Sequence, residues 1–530
     1  MKVTKLLSQM PEEDKTPLVL QLFEVIQLQT EEIQILKDEI ARLKGQKPKP
    51  DIKPSKLERQ SGKDEPSSDI PEKRPGSAKK GKTKFLEIHS DKIIPPDFIP
   101  EGAKFKGYQD YVVQNIKIEP FNIRYRLERW ECPDGKDVVG KLPAEVQGRH
   151  FGIDLTRFIL YQYYQAHVTQ PLILEQLLEI GVDISSGQIS RILTENHDNF
   201  HAEKEEILKV GLEVSRYIHV DDTGARHNGK NGYCTHIGNE LFAYFESTES
   251  KSRINFLKIL RAGHDDYIVT PEAIEYMMAQ KLPLPEIRKF AQLLNAVFPN
   301  EESWQNQLSD LEITSKRYVQ IASEGALMGS VIEHGINPDM VIISDDAGQF
   351  NIFLHALCWI HAERTINKLV GFNEEQIAVL EGKRDEIWRF YDDLKKYKEN
   401  PNSVEKRRLQ QVFTDIFTEK TCFASLNQAL GRIYKNKDEL LLVLERPEIP
   451  LHNNLSENDI REYVKRRKVS GSTRSSPGKR CRDTFTSLKK TCRKLGISFW
   501  DYLKDRLVGE EGNVLYLPSL IKNRACGAEG

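Results

Sequence analysis

The chain has 530 residues, of which 39% are hydrophobic and 29% are charged, and its formal net charge is −2 at pH 7. This length exceeds what a single hydrophobic core serves, so we expect several domains. No run of about 18 apolar residues occurs, which excludes a membrane-spanning helix. The first residues lack the apolar stretch of a signal peptide, so we expect a cytoplasmic protein. The seven cysteines form no Cys-x-x-Cys pair, which predicts reduced thiols.

Residues 1–45 carry a heptad pattern with mostly apolar residues at the a and d positions. These positions are Val19, Leu22, Ile26, Gln29, Ile33, Leu36, Ile40 and Leu43. An isolated helix with one apolar seam gains little stability in water. The pattern therefore predicts a coiled coil through which the chain forms a homo-oligomer, and the alternative is a helix that packs onto its own chain.

Residues 46–100 are predicted to be a flexible basic linker. Up to about residue 84 they combine scattered prolines with lysines, serines and glutamates, and such a segment cannot bury a core. The linker would add non-specific contacts to DNA phosphates or act only as a tether. Residues 101–205 follow, and the turn sequence Pro133-Asp134-Gly135 between short alternating stretches indicates a small β module at their start.

The second half of this region predicts a helix-turn-helix-like pair. Thr169 precedes a leucine-rich helical run, Gly181 ends that run, and Ser185 begins a second helix. The second helix would present Gln188 and Arg191 toward phosphates or base edges in a major groove. Many helical pairs with this pattern do not contact DNA, so both interpretations stay open here.

Three carboxylates lie in three separate sequence contexts. Asp221 follows an apolar run at 217–220 and Asp345 follows another at 340–343, so we expect each acid where a β-strand meets a loop. Glu457 opens a predicted helix. Mg²⁺ binds a few carboxylate oxygens, and two such ions about 4 Å apart can hold the attacking and leaving oxygens of an in-line displacement. The three acids therefore predict a phosphoryl-transfer site with two Mg²⁺ or Mn²⁺ ions.

The segments around these acids add further candidate residues. The long spacings between the acids leave room for helical insertions at about 262–337 and 371–450. Cys358 and His361 lie on one face of a predicted helix, and we expect them, with Asn454, to support the acids; direct catalysis by Cys358 and His361 is the alternative.

A basic run follows the glutamate. From Arg461 to Lys494 the chain has 13 Lys or Arg residues against Glu462 and Asp483. This surplus predicts phosphate contacts that weaken with salt, and the alternative is a solvated helix face. The residues assigned to DNA contact are Arg461, Lys465, Arg466, Arg467, Lys468 and Arg474.

The sequence around the three acids resembles the insertion sequence 66 family of Asp-Asp-Glu transposases. The matching segments are residues 219–226, 345–351, 358–364 and 450–461. The resemblance implies an α/β ribonuclease-H-like catalytic core over residues 206–507, followed by a C-terminal tail at 508–530. It implies that Asp221, Asp345 and Glu457 are the catalytic and metal-binding acids, and that Asp222 and Asp346 are neighbours and not ligands.

The resemblance also implies an activity and partners. The chain would be the DNA transposase of an insertion sequence, binding element ends and catalysing metal-dependent strand cleavage and strand transfer, with target DNA and accessory transposition proteins as further partners. It would associate with the nucleoid when acting. Relatives carry zinc-binding cysteines where only Cys132 stands here, so we expect no structural zinc. His452 and Asp222, which replace residues usual in the family, keep open a catalytically inactive, transposase-derived DNA-binding protein.

Overall fold

The computed structural model describes residues 16–19, 21–22, 25–26, 29, 87–143, 148–334, 336–337, 339–509 and 514–527. The chain divides into two compact units between Lys117 and Ile118. In the first unit the described positions between 17 and 29 are helical, and residues 87–117 have no regular strand or helix. The predicted seam from Ile33 to Leu43 and most of the predicted linker lie outside the described residues.

The second unit begins with a small β-hairpin. Strands β1 (Arg129–Glu131) and β2 (Asp137–Val139) pair antiparallel around the predicted turn. Gly135 has a φ of 76°, a conformation that glycine adopts without steric cost. The hairpin lies in the region for which a small β module is predicted.

In the described part of the second unit, four helices precede the main sheet. They are α1 (Ile153–Leu160), which continues as a π-helical turn at Tyr161–Gln165, α2 (Gln170–Glu179), α3 (Ser186–Thr194) and α4 (Asp198–Val214). The predicted helical pair corresponds to α2 and α3. Ser185 caps α3 by accepting a hydrogen bond from the Gln188 backbone N–H, whereas the Thr169 side chain makes no capping bond to α2. Gly181 separates the two helices with a φ of 86°.

A five-stranded mixed sheet forms the centre of the second unit. Its strands are β3 (Tyr217–His227), β4 (Lys230–Gly238), β5 (Ala243–Thr248), β8 (Val341–Ser344) and β9 (Leu354–Leu357), in the spatial order β5-β4-β3-β8-β9. Strands β3, β4 and β5 pair antiparallel, whereas β8 pairs parallel with both β3 and β9. All four residues of β8 are buried, as expected of a parallel strand covered on both faces.

The first predicted insertion is a helical region with its own aromatic cluster. After α5 (Arg253–Leu260) come β6 (Tyr267–Ile268), α6 (Pro271–Ala279), α7 (Leu284–Ala291), β7 (Val297–Phe298), α8 (Glu301–Asp310) and α9 (Lys316–Glu333). Trp304 is fully buried and packs against Tyr267, Phe290 and Phe298. Strands β6 and β7 pair antiparallel beside this cluster.

The second predicted insertion is also helical. It follows α10 (Trp359–Asn367) and contains α11 (Glu374–Glu399), α12 (Ser403–Thr418), α13 (Ala424–Lys435), α14 (Lys437–Leu440) and a 3₁₀ turn at Leu442–Leu444. Trp359, Phe390, Phe413 and Phe417 pack together in its core. This core also includes Val341 and Ile343 of β8, so the insertion packs on the sheet.

Four more helices complete the chain: α15 (Asn454–Ser470), α16 (Ser476–Lys494), α17 (Phe499–Val508) and α18 (Leu517–Gly527). The predicted tail therefore contains a helix, because Leu517 and Ile521 bury apolar side chains as α18 packs on α4. The result is a mixed α/β fold with a helical majority. Among the described residues, no helix combines the length and the apolar composition needed to cross a membrane.

Candidate active site

Asp221 lies in β3, and Asp345 directly follows β8, the strand that pairs parallel with β3. The pairing of β3 with β8 ends where His219 faces Ile343, and Asp345 directly follows β8. Continuing this register by two residues sets Asp221 opposite Asp345. Asp221 does not end its strand as expected, because β3 continues to His227 in antiparallel pairing with β4.

The surroundings of Asp221 disfavour its charged form. Burial, together with repulsion from Asp345 and Asp222, raises the pKa of Asp221 to about 7. Asp221 Oδ1 accepts a hydrogen bond from the Asp222 N–H at 2.7 Å. Asp345 Oδ1 is buried and accepts no hydrogen bond from the described part of the chain. A divalent cation bound between two such acids would relieve both the repulsion and the unsatisfied oxygen.

Asp222 has other partners. Its carboxylate accepts hydrogen bonds from Thr235 Oγ1 at 2.6 Å and from Gln349 Nε2 at 2.9 Å. These bonds connect β3 to β4 and to the loop after Asp345. The arrangement fits the expectation that Asp222 is a neighbour of the metal-binding acids and not itself a ligand.

Glu457 lies in the first turn of α15, within reach of three nitrogen groups. Its Oε1 is 3.2 Å from Arg364 Nη1 and 3.5 Å from His361 Nε2, and its Oε2 is 3.5 Å from Arg461 Nη2. Across the residues that the structure describes, no three His, Cys, Asp or Glu side chains converge as a metal-binding group. The three acids therefore do not form the expected metal-binding cluster in this structure, and Glu457 is paired with Arg364 and Arg461 instead.

Asn453, immediately before α15, joins the elements that carry the acids. This residue is fully buried. Its Nδ2 donates to the Val220 carbonyl at 2.8 Å, its Oδ1 accepts from His219 Nδ1 at 2.9 Å, and its backbone N–H donates to Cys358 Sγ at 3.1 Å. The support expected from Asn454 is thus provided by Asn453, which the sequence did not distinguish from its neighbour.

Cys358 and His361 contact different groups. Cys358 is buried at the start of α10 and faces Asn453, whereas His361 faces Glu457. Trp359, between them in sequence, is buried in the core of the second insertion. This placement agrees with a supporting role for both residues and does not make them a joint ligand pair.

The residues assigned to DNA contact fall into an exposed and an enclosed group. The exposed ones are Arg191, Arg461, Lys465, Lys468 and Arg474. Gln188 is half-buried, and Arg467 is half-buried with its Nη1 donating to the Gly224 carbonyl. Arg466 is buried, donates to the Tyr163 carbonyl at 3.0 Å and lies 3.6 Å from the centre of the Tyr163 ring. That buried position does not fit the phosphate contact expected of Arg466.

Much of the basic run is also neutralised internally. Three lysines of α16 pair with acids of α15: Lys489 with Glu462 at 2.9 Å, Lys490 with Asp459 at 3.0 Å, and Lys494 with Asp459 at 2.8 Å. Although burial raises it, the pKa of Asp459 is held well below its usual range by His236, Lys494 and Lys490. The basic surplus available to DNA is therefore smaller than the count of charges along the sequence suggests.

Comparisons with known proteins agree with the resemblance. The family model described as "Transposase IS66 family" matches residues 334–480, a segment that includes Asp345 and Glu457 but not Asp221. A curated protein of Sinorhizobium fredii (strain NBRC 101917 / NGR234), named "Uncharacterized protein y4jO", is 41% identical over 321 residues. The match covers 60% of this chain and 100% of that relative.

Proposed function

This chain belongs to the IS66 family of transposases, and we therefore propose that it cleaves DNA at the ends of an insertion sequence and joins those ends to target DNA. The observation that carries the proposal is the placement of Asp221 and Asp345: β3 pairs parallel with β8 up to His219 and Ile343, each two residues before one of these acids, and the buried Oδ1 of Asp345 has no hydrogen-bond partner in the described part of the chain. The strand order supports a ribonuclease-H-like core, because three antiparallel strands are followed by two parallel ones on the side of β3.

Asp221 and Asp345 would hold divalent Mg²⁺ or Mn²⁺, and Glu457 would complete a site for two ions. The buried oxygen of Asp345 and the repulsion between the aspartates support this fit. Such ions lower the pKa of bound water and stabilise the developing charge on the leaving oxygen. Glu457 would join the site after leaving its present partners on α10 and α15.

The protein's own residues would fix the geometry of the reaction. Strand β3 holds Asp221, the end of β8 holds Asp345, and Asn453 links β3 to the helix of Glu457. Exposed basic residues such as Lys468 and Arg474 would bind backbone phosphates, contacts that set register without reading sequence. Positioning of this kind supplies much of the catalysis in phosphoryl transfer.

Recognition of the element ends is proposed for α2 and α3. Arg191 is exposed on α3, in agreement with a contact to DNA. We further propose that copies of the chain associate through the predicted coiled coil at residues 1–45, and that accessory transposition proteins take part.

The test compares two neighbouring aspartates. With labelled DNA carrying the element's end and Mg²⁺ or Mn²⁺, Asp345→Asn should lose nicking, whereas Asp346→Asn should retain it, since Asp346 is an exposed neighbour. Equal nicking by the native chain and Asp345→Asn would contradict the proposal.

A second candidate function is a DNA-binding protein that does not cut. The observation that favours it is the pairing of Glu457 with Arg364 and Arg461. Specific binding of element ends without nicking, in both the native chain and Asp345→Asn, would support this alternative.

A further inference from the structure

Two arginines from two helices approach the two oxygens of the Glu457 carboxylate. Arg364 of α10 approaches Oε1, and Arg461 of α15 approaches Oε2. The Glu457 side chain is only 18% exposed, whereas those of Arg364 and Arg461 are 44% and 66% exposed. The carboxylate therefore occupies a small anion-binding site that is open to solvent on its cationic side.

Both guanidinium groups are held in place by uncharged partners. Arg364 Nη1 donates to His361 Nε2 at 3.1 Å, and Arg461 Nη1 donates to Asn458 Oδ1 at 2.8 Å. A guanidinium has five N–H groups in a planar fork. Within the described residues, Arg364 directs only Nη1 to His361 and Glu457, so Nε and Nη2 are available for another acceptor.

This arrangement suits a phosphodiester better than a single carboxylate. Guanidinium forks bind two oxygens of a phosphate side by side, and such charge-assisted bonds are stronger than neutral ones. Both arginines contact Glu457, one of the proposed catalytic acids, and the backbone of bound DNA would have to pass beside it. Glu457 thus occupies, in the DNA-free protein, a position that suits a phosphate oxygen.

We propose that Arg364 and Arg461 form a binding site for a phosphate of the DNA backbone, and that the Glu457 carboxylate fills this site until DNA arrives. The inference rests on the proposed function, because it takes Glu457 as the third metal-binding acid. A DNA phosphate takes over the two arginines, and Glu457 is released toward Asp221 and Asp345. DNA binding and cation binding then strengthen each other by the same factor, as linkage requires.

The experiment measures Mn²⁺ binding to the full chain by electron paramagnetic resonance, with and without a short DNA duplex. In the native chain, DNA should tighten Mn²⁺ binding. Arg364→Gln should bind Mn²⁺ about two- to fivefold more tightly without DNA, because an exposed ion pair that competes for Glu457 has been removed. DNA should then add less to the Mn²⁺ affinity of this variant than to that of the native chain.

Two further variants sharpen the comparison. Lys368→Gln removes the same charge from an exposed position four residues after Arg364, directly after the end of α10, and it should behave as the native chain does. Arg461→Gln should shift Mn²⁺ binding in the same direction as Arg364→Gln, which gives a second measurement if either arginine variant fails to fold.

The results separate failure of this site from failure of the proposed function. The phosphate site would be overturned if Arg364→Gln and Arg461→Gln bound Mn²⁺ as Lys368→Gln does, both with and without DNA. In that case the proposed catalytic function would still stand if DNA tightened Mn²⁺ binding by the native chain but not by Glu457→Gln. Two results would contradict both the phosphate site and the proposed function. One is that Glu457→Gln binds Mn²⁺ as tightly as the native chain in the presence of DNA, and the other is that no sample binds Mn²⁺.

Discussion

The side-chain amide of Asn453 donates a hydrogen bond to the backbone carbonyl of Val220 at 2.8 Å. Val220 immediately precedes Asp221, and Asn453 immediately precedes the helix that carries Glu457. One buried residue therefore fixes the positions of two proposed catalytic acids that are far apart in sequence. This link is independent of any metal, so it can be tested in the protein alone.

Replacing Asn453 with alanine should destabilise the fold and slow DNA cleavage. The change leaves the Val220 carbonyl and the His219 imidazole without their partner, and each buried group left unsatisfied costs about 1–3 kcal/mol. Urea unfolding measures the loss. The matched control is Asn454→Ala, which should change the free energy of unfolding by about 0.5 kcal/mol or less; equal losses in the two variants would remove the special role of Asn453.

Asp345→Asn should stabilise the metal-free protein although it abolishes cleavage. The neutral amide removes the repulsion with Asp221 and replaces a buried charged oxygen without a hydrogen-bond partner by an uncharged polar atom. Substitutions that relieve strain at an active site commonly add about 0.5–2 kcal/mol of stability. Thermal unfolding at neutral pH in chelator measures this change, with Asp346→Asn as the control. A lower melting temperature for Asp345→Asn would show that repulsion between Asp345 and Asp221 does not destabilise the metal-free protein.

Arg466 and Lys468 should respond differently to loss of charge. Arg466→Gln should lower stability, because the buried guanidinium contacts the Tyr163 carbonyl and ring. Lys468→Gln should leave stability unchanged but weaken DNA binding, and it should reduce the slope of log affinity against log salt by about 1. Fluorescence anisotropy over a salt series measures DNA binding, and thermal unfolding measures stability. If Arg466→Gln kept the native stability but had a reduced salt slope, Arg466 would be a phosphate contact after all.

His201 should make the fold sensitive to acid. Burial and the nearby Arg480 lower the pKa of His201 to about 4, and its Nδ1 lies 2.8 Å from Thr484 Oγ1. The unfolded chain takes up the proton at a pKa of about 6.5, so stability is lost as the pH falls from about 6.5 to 4, by up to about 3 kcal/mol. His201→Gln should flatten this part of the curve of unfolding free energy against pH. Parallel curves for the variant and the native chain would contradict the assignment.

Parts of the fold could be predicted because β8 and the start of β3 are short, largely apolar runs. The run at Val341–Ser344 is wholly buried, and the helical insertions follow from repeated helix patterns between the acids. The position of Asp221 within its strand was not predictable in this way. Strand β3 continues beyond the end of its pairing with β8, because β4 pairs with the second half of β3. This pairing depends on tertiary contacts and not on the local sequence pattern.

The site was harder to predict than the fold, because side-chain partners come from remote elements. The sequence indicates that Arg466 is basic but not that its face of α15 is covered by the segment around Tyr163. The same limit applies to Asn453 and Asn454, which are adjacent in the sequence, although only Asn453 reaches Val220. Local patterns therefore identified the acids, and tertiary packing decided what surrounds them.

The most direct test of the catalytic assignment is the rate of DNA nicking by the native chain and by Glu457→Gln. Both are measured on labelled DNA carrying the element's end, with Mg²⁺ and with protein sufficient to bind all the DNA. Both proteins should bind the DNA, and only the native chain should nick it. Nicking by Glu457→Gln at the native rate would contradict the assignment of Glu457 as a catalytic acid.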